Sequence, residues 1–339
     1  MNINKTTNRL EWIDTAKGTG ILLVVLGHSI LGNNLLKATQ PNLYYFSYNF
    51  IWLFHMPLFF FLSGLFMKSF SEKPLSKALI SKVQTVLYPY IIWSVIFGGI
   101  YLLISYFPNV QNASNNQITL KQLLLFPFYP ILHLWFLYIL FGIQILYLIL
   151  NKLFKINYLF IFLISLIMCF YNPFKFIWFF NDTFTGSFFF LSSGAYLSTD
   201  SFNNFEFKKY KIFIISFILA FLIINTTIAL SNNTYEVFKD TFLNIYPALL
   251  GIFSVILFSI YIQTVNFFKI FGYLGKMSLY IYLIHPIISP AARIVMEKFL
   301  HIDNLFLIIL TSTISGIVFS ILFYKLSTKL KLNKLLFGK

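Results

Sequence analysis

The chain has 339 residues, of which 58% are hydrophobic, 21% aromatic and only 10% charged, and its formal net charge is +15. That balance excludes a soluble globule with an ordinary polar surface and makes a bilayer the natural solvent. It also argues against nucleic-acid binding, because the basic residues sit in short clusters between apolar runs and no basic domain stands apart.

Ten apolar runs approach the roughly 20 residues that a spanning helix needs. They cover 12–32, 46–68, 85–107, 131–150, 157–172, 175–198, 211–230, 241–263, 269–289 and 304–328. They predict an all-α, polytopic integral membrane protein of about ten transmembrane helices, with one membrane domain over 1–339 and no appended soluble domain. The connectors NNLLKATQPN, SEKPLSKALISK, PNVQNASNNQ and SNNTYE carry breakers and polar clusters. Asp14 and Lys17 interrupt the start of the first run and no small-residue cleavage site follows it, so it reads as a retained helix. Most of the 25 basic residues flank alternate ends of the runs, which puts both termini in the cytoplasm of a multi-pass plasma or inner membrane protein. PLFFFLSGLFM at 57–67 is echoed by GSFFFLSSGAYL at 186–197, through duplication or through chance recurrence of Phe-rich sequence. The single cysteine, Cys169, excludes an internal disulfide and reads as a small packing residue.

Charged groups within a bilayer need partners or a wet cavity. Asp14 and Lys17 are three residues apart and share a helical face. His28 comes eleven residues after Lys17, which returns it to within about 20° of the same face and about 16 Å further along the axis. The stripe suits a ligand path; taken singly, Lys17 could snorkel to headgroups and Asp14 could cap the helix. Gly18, Gly20 and Gly27 thin this helix for close packing or for a ligand chain lying along it. In the second run His55 falls near mid-membrane, and Pro57 should weaken the local ladder. His133, His285 and His301 read as structural or interfacial, and Asp182 as a carboxylate near the outer surface. All five histidines fall in the outer half or outside, which predicts an outward-opening chamber with imidazoles in its walls. No metal site is expected, since no histidines stand one turn apart on a helix, and GxSxG, P-loop and dinucleotide motifs are missing.

WIDTAKGTGILLVVLGH (12–28), FHMPLFFFLSG (54–64), SKVQTVLYPYIIW (81–93), LHLWFL (132–137) and LGKMSLYIYLIHP (274–286) together resemble the acyltransferase-3 family of integral membrane acyltransferases, in the family's order over almost the whole chain. Within it the chain looks like the fucose 4-O-acetylase-like branch, with Lys17 where much of the family has arginine; a lysine lacks arginine's forked geometry. The resemblance implies a ten-helix enzyme moving an acyl group, usually acetyl from cytoplasmic acetyl-CoA, to a hydroxyl of a bacterial cell-envelope polysaccharide or its lipid-linked sugar precursor. It makes Lys17 and His28 the principal pair, with His55 nearby. In that reading Lys17, helped by Lys77 and Lys82, meets the CoA phosphates, and Asp14 fixes Lys17. His28 is the general base or the transient acyl carrier, and His55 orients it or stabilises the tetrahedral intermediate. The partners are then acetyl-CoA, a glycan or lipid-linked sugar acceptor and membrane lipids. A transporter of a glycan or lipid-linked sugar would use the same chamber without acyl chemistry.

Overall fold

The computed structural model describes residues 11–105, 119–171, 182–198, 211–231, 241–262 and 269–338. PNVQNASNNQ, SNNTYE after its serine and the first seven residues of the 175–198 run lie outside them. No strand occurs among the described residues, as suits a medium in which only intra-segment hydrogen bonds can satisfy the backbone of a single span. The helices are α1 (Glu11–Leu31), α2 (Asn34–Thr39), α3 (Pro41–Trp52), α4 (His55–Gly64), α5 (Met67–Glu72), α6 (Leu75–Lys82), α7 (Tyr88–Ser105), α8 (Leu120–Leu124), α9 (Trp135–Lys152), α10 (Tyr158–Phe170), α11 (Asp182–Leu197), α12 (Lys211–Ser231), α13 (Thr241–Ile262), α14 (Lys269–Ile294), α15 (Leu305–Lys329) and α16 (Asn333–Phe337). Every one of the ten apolar runs contains helix, and among the described residues six helical stretches are long and apolar enough to cross a membrane. The protein is an all-α polytopic membrane protein.

The chain packs as two compact units, one formed by Met1–Ser63 with Thr199–Phe323 and the other by Gly64–Ser198 with Tyr324–Lys339. The first is organised on α1 and α14, which run side by side in the same direction. Asp14 lies against Gly275, His28 against His285, and Gly32 against Arg293. Contact is closest where side chains are missing: a Cβ on Gly18 would overlap the carbonyl of Phe271, and one on Gly275 the carbonyl of Asp14. Small residues at such a crossing let backbones approach where the hydrophobic effect supplies no drive. The other α1 glycines are filled as well, since a Cβ on Gly20 would lie 3.0 Å from Phe59 and one on Gly27 2.6 Å from Trp52. Of the two uses open to these glycines, the fold takes packing.

The run at 46–68 is divided between α3 and α4. Pro57 has no N–H to offer the carbonyl of Leu53, and Phe54 N turns back to Ile51 O at 3.4 Å. Around this break Phe221 of α12 meets Phe50 and Phe54, with centroids 5.8 and 5.2 Å apart, and Gly251 of α13 leaves room for Phe54. A cluster of Ile30, Leu36, Tyr44 and Ile51, backed by Leu305 and Ile309 of α15, fixes α3 against the end of α1. Tyr44 Oη also donates to Leu31 O at 3.2 Å.

In the second unit α10 and α11 pair through the buried hydroxyls of Ser165 and Ser192 and a Phe162–Tyr196 stack. Gly64 lies against the carbonyl of Leu191, so the two echoed segments touch. The C-terminal helix α16 closes on α7. Phe337, fully buried, stacks on Trp93, whose Nε1 donates to Leu336 O at 3.0 Å, and Tyr88 Oη donates to Leu335 O at 2.9 Å. Gly338 ends that helix at φ 72°, a left-handed conformation that glycine adopts without strain.

The α1–α14 crossing is testable by adding single methyl groups. Gly18→Ala and Gly275→Ala each meet backbone that cannot step aside and should destabilise the protein by about 1–3 kcal/mol or more. Gly99→Ala, whose Cβ would meet nothing within 4 Å, should be neutral or stabilising by up to about 1 kcal/mol. Thermal melting in detergent decides; indistinguishable midpoints for all three would contradict the tight crossing.

Candidate functional site

Within the first unit, rings from three separate segments gather around His28. Trp52, the last residue of α3, meets the His28 ring edge-on at 5.6 Å between centroids. His285 of α14 lies 5.3 Å from the same ring, tilted by 49°. His55, the first residue of α4, packs against Trp52 at 4.8 Å, and Tyr48 stacks on the same indole at 4.2 Å. The helix break therefore has a local use: it turns Trp52 and His55 toward the same neighbourhood from adjoining helix ends. Gly27 makes the room that Trp52 needs, beside His28 on α1.

The three imidazoles are not equivalent. His55 and His285 are 1% and 0% exposed, whereas His28 is half-buried. His55 Nδ1 lies 2.9 Å from Ile51 O, and His285 Nδ1 lies 2.8 Å from Ile281 O. A carbonyl oxygen can only accept, so Nδ1 donates in both rings, and the neutral tautomer carries its lone pair on Nε2. Each of these histidines stands beside a proline in its helix, Pro57 two residues on and Pro286 one residue on. Those prolines withhold an N–H from Leu53 O and Tyr282 O, so the imidazole contacts fall on neighbouring carbonyls; at the α3–α4 break Ile51 O accepts from both His55 Nδ1 and Phe54 N. The His28 backbone carbonyl accepts from Gly32 N at 3.0 Å, while its imidazole makes ring contacts but no hydrogen bond to a described residue.

Asp14 is buried on α1 and Lys17 is half-buried one turn along. The two remain on the stripe that leads to His28, a continuous helix with a rise of about 1.5 Å per residue. Lys77 and Lys82 belong to the second unit and differ from each other: Lys77 is exposed, while Lys82 is buried with Nζ 3.6 Å from the centroid of Phe70. They do not offer an anion equivalent charges. His133, also in the second unit, packs edge-on against Phe97 at 4.6 Å; His301 is exposed, at φ 51°. Asp182 begins α11 and is exposed. Among the described residues no three His, Cys, Asp or Glu side chains are grouped so as to hold a metal ion.

Sequence reasoning counts His285 as structural and does not single out Trp52. The available signal was the repeated pairing of a histidine with a proline inside an apolar run, HMP at 55–57 and HP at 285–286. Ser289, one turn beyond His285, is buried against Gly316 of α15 and near Val25 of α1, and its hydroxyl has no hydrogen-bond partner among the described residues.

A family model described as an acyltransferase domain matches residues 10–325. No curated protein and no solved structure matches the chain.

Trp52→Ala removes the indole shared by His28, His55 and Tyr48 and should cost about 3–5 kcal/mol of stability. Ser289→Ala deletes an unsatisfied hydroxyl and should be neutral or stabilising by about 1 kcal/mol. Chemical denaturation in mixed micelles separates the two; a Trp52→Ala protein as stable as wild type would mean that the indole does not hold the rings in place.

Proposed function

Since the chain belongs to the acyltransferase-3 family and is a membrane acyltransferase, we propose that it moves acetyl from cytoplasmic acetyl-CoA to a hydroxyl of a cell-envelope polysaccharide or its lipid-linked sugar precursor. The reading locates the enzyme in the plasma or inner membrane, with both termini cytoplasmic. The observation that carries it is the setting of His28, a half-buried imidazole flanked by Trp52 and His285, on the same helix stripe as Lys17.

Acyl transfer from a thioester to an alcohol needs a base for the hydroxyl proton and an acid for the leaving thiolate. One imidazole serves both needs in turn. His28 takes the proton as the acceptor oxygen bonds to the thioester carbonyl carbon, and returns it to sulfur as the C–S bond breaks. CoA carries its phosphates and its thioester at opposite ends of an extended arm, so a cation should lie well away from the base. Lys17, about 16 Å from His28 along the axis, meets that requirement as a point charge, and Asp14 fixes its position. With Nδ1–H engaged by Ile51 O, neutral His55 offers an acceptor at Nε2. That suits orienting a hydroxyl or N–H donor; His55 could donate to an oxyanion only as imidazolium.

Protein in lipid nanodiscs, supplied with acetyl-CoA and a polar-lipid extract of the source cell, tests the assignment. Lys17→Ala should weaken acetyl-CoA binding, and His28→Gln should bind donor while releasing CoA thiol roughly 10² to 10⁴ times more slowly. Wild-type protein that neither binds nor consumes acetyl-CoA under these conditions would overturn the proposal and favour transport of the glycan instead.

A further inference from the structure

The proposal above leaves His285 without a task, although its ring is a direct neighbour of His28. We infer that His285 is the positioning residue of the acyl-transfer base: its Nε2 accepts the N–H of His28 and turns the other nitrogen of His28 toward the acceptor hydroxyl. This rests on the acyltransferase reading of the same site.

Three observations lead there. The first is distance. A ring nitrogen stands little more than about 1 Å from its own centroid, so the 5.3 Å between the His28 and His285 centroids lets one nitrogen of each ring come within about 3 Å of the other, hydrogen-bonding range. Catalytic hydrogen bonds commonly tighten only when substrate is bound, and a small rotation of the half-buried His28 ring completes this one. The second is proton inventory. Ile281 O holds the Nδ1 proton of His285 at 2.8 Å, which leaves Nε2 as the acceptor in the neutral ring. The third is rigidity. His285 is fully buried on α14, and α14 is locked to α1 by the backbone approach at Gly18 and Gly275. His55 occupies a different relation, since its ring contact is with Trp52 and it is the indole, not His55, that makes a ring contact with His28.

The proton count closes without a second ionisation. When the acceptor O–H transfers its proton to one nitrogen of His28, the other N–H of the imidazolium remains bonded to neutral His285 Nε2. The new O–C bond forms and the C–S bond breaks. The thiolate then takes the proton from His28, which returns to its starting tautomer. An orienting third group is the general requirement of a base of this kind. A carboxylate would fill the role elsewhere; within hydrocarbon a neutral imidazole avoids the cost of a buried anion.

The test compares His285→Gln, His285→Asn and His285→Phe in nanodiscs containing the polar-lipid extract, with acetyl-CoA as donor and both thiol release and donor affinity measured. Glutamine can set its amide oxygen where Nε2 stands. Asparagine keeps a donor for Ile281 O but has nothing at that position, and phenylalanine keeps only the ring volume. The expected pattern is a loss of about 10² in kcat for Asn and Phe, with donor affinity and melting temperature unchanged, and recovery to within about tenfold of wild type for Gln. If Phe misfolds, the Asn and Gln pair decides alone. Asn retaining more than half of wild-type kcat, or Gln as slow as Asn, would overturn the role of His285 while leaving the acyltransferase reading intact. A wild-type protein that consumes no acetyl-CoA would instead remove that reading, and the role of His285 with it.

Discussion

The parallel contact of α1 with α14 at Gly18 and Gly275 is the constraint on which the rest of the first unit depends. With backbone against backbone, sliding or rotation of either helix would drive a carbonyl into a neighbouring Cα. That fixes the axial register, and the register decides what faces what further along: His28 meets His285, and Gly32 meets Arg293. A pair of residues without side chains at one end thus sets the distance between two imidazoles at the other. In a membrane, where lipid competes equally for apolar side chains, this kind of close steric fit carries much of the specificity that differential hydrophobicity provides in water.

A second device works through proline. The break between α3 and α4 and the interruptions near Pro286 leave backbone carbonyls short of donors in hydrocarbon. His55 and His285 each donate Nδ1–H to a carbonyl four residues back, Ile51 O and Ile281 O, which fixes the tautomer of the neutral ring. Local backbone geometry therefore fixes which ring nitrogen is free at both histidines. Trp52 adds the packing term: one indole contacts His28, His55 and Tyr48 and fills the space left by Gly27.

Membership of the acyltransferase-3 family, with the family model spanning residues 10–325, gives the protein a chemical class. The ring cluster around His28 is built from imidazoles and an indole rather than from formally charged side chains, which suits a medium hostile to ions. The second unit carries its own polar solutions, among them the Ser165–Ser192 pair and the Trp93 Nε1–H donated to Leu336 O.

The helical class was readable in the sequence because runs of about 20 apolar residues have few alternatives in a bilayer, and each of the ten runs does contain helix. That Lys17 and His28 share one helical face was readable, because eleven residues return an α-helix nearly to the same face and α1 is continuous from Glu11 to Leu31. The interruption at Pro57 was readable from the missing N–H. The contact between His285 and His28 was not, since the two come from opposite ends of the chain and a histidine near a helix end has several ordinary uses. Nor could sequence choose between packing and a ligand path for Gly18, Gly20 and Gly27, because a glycine states only that space is left, not what fills it. Period and composition determine which residues share a helical face; only the crossing of α1 with α14 and the turn after Trp52 decide which faces meet, because register between distant helices is set by steric fit and not by any property of either helix alone.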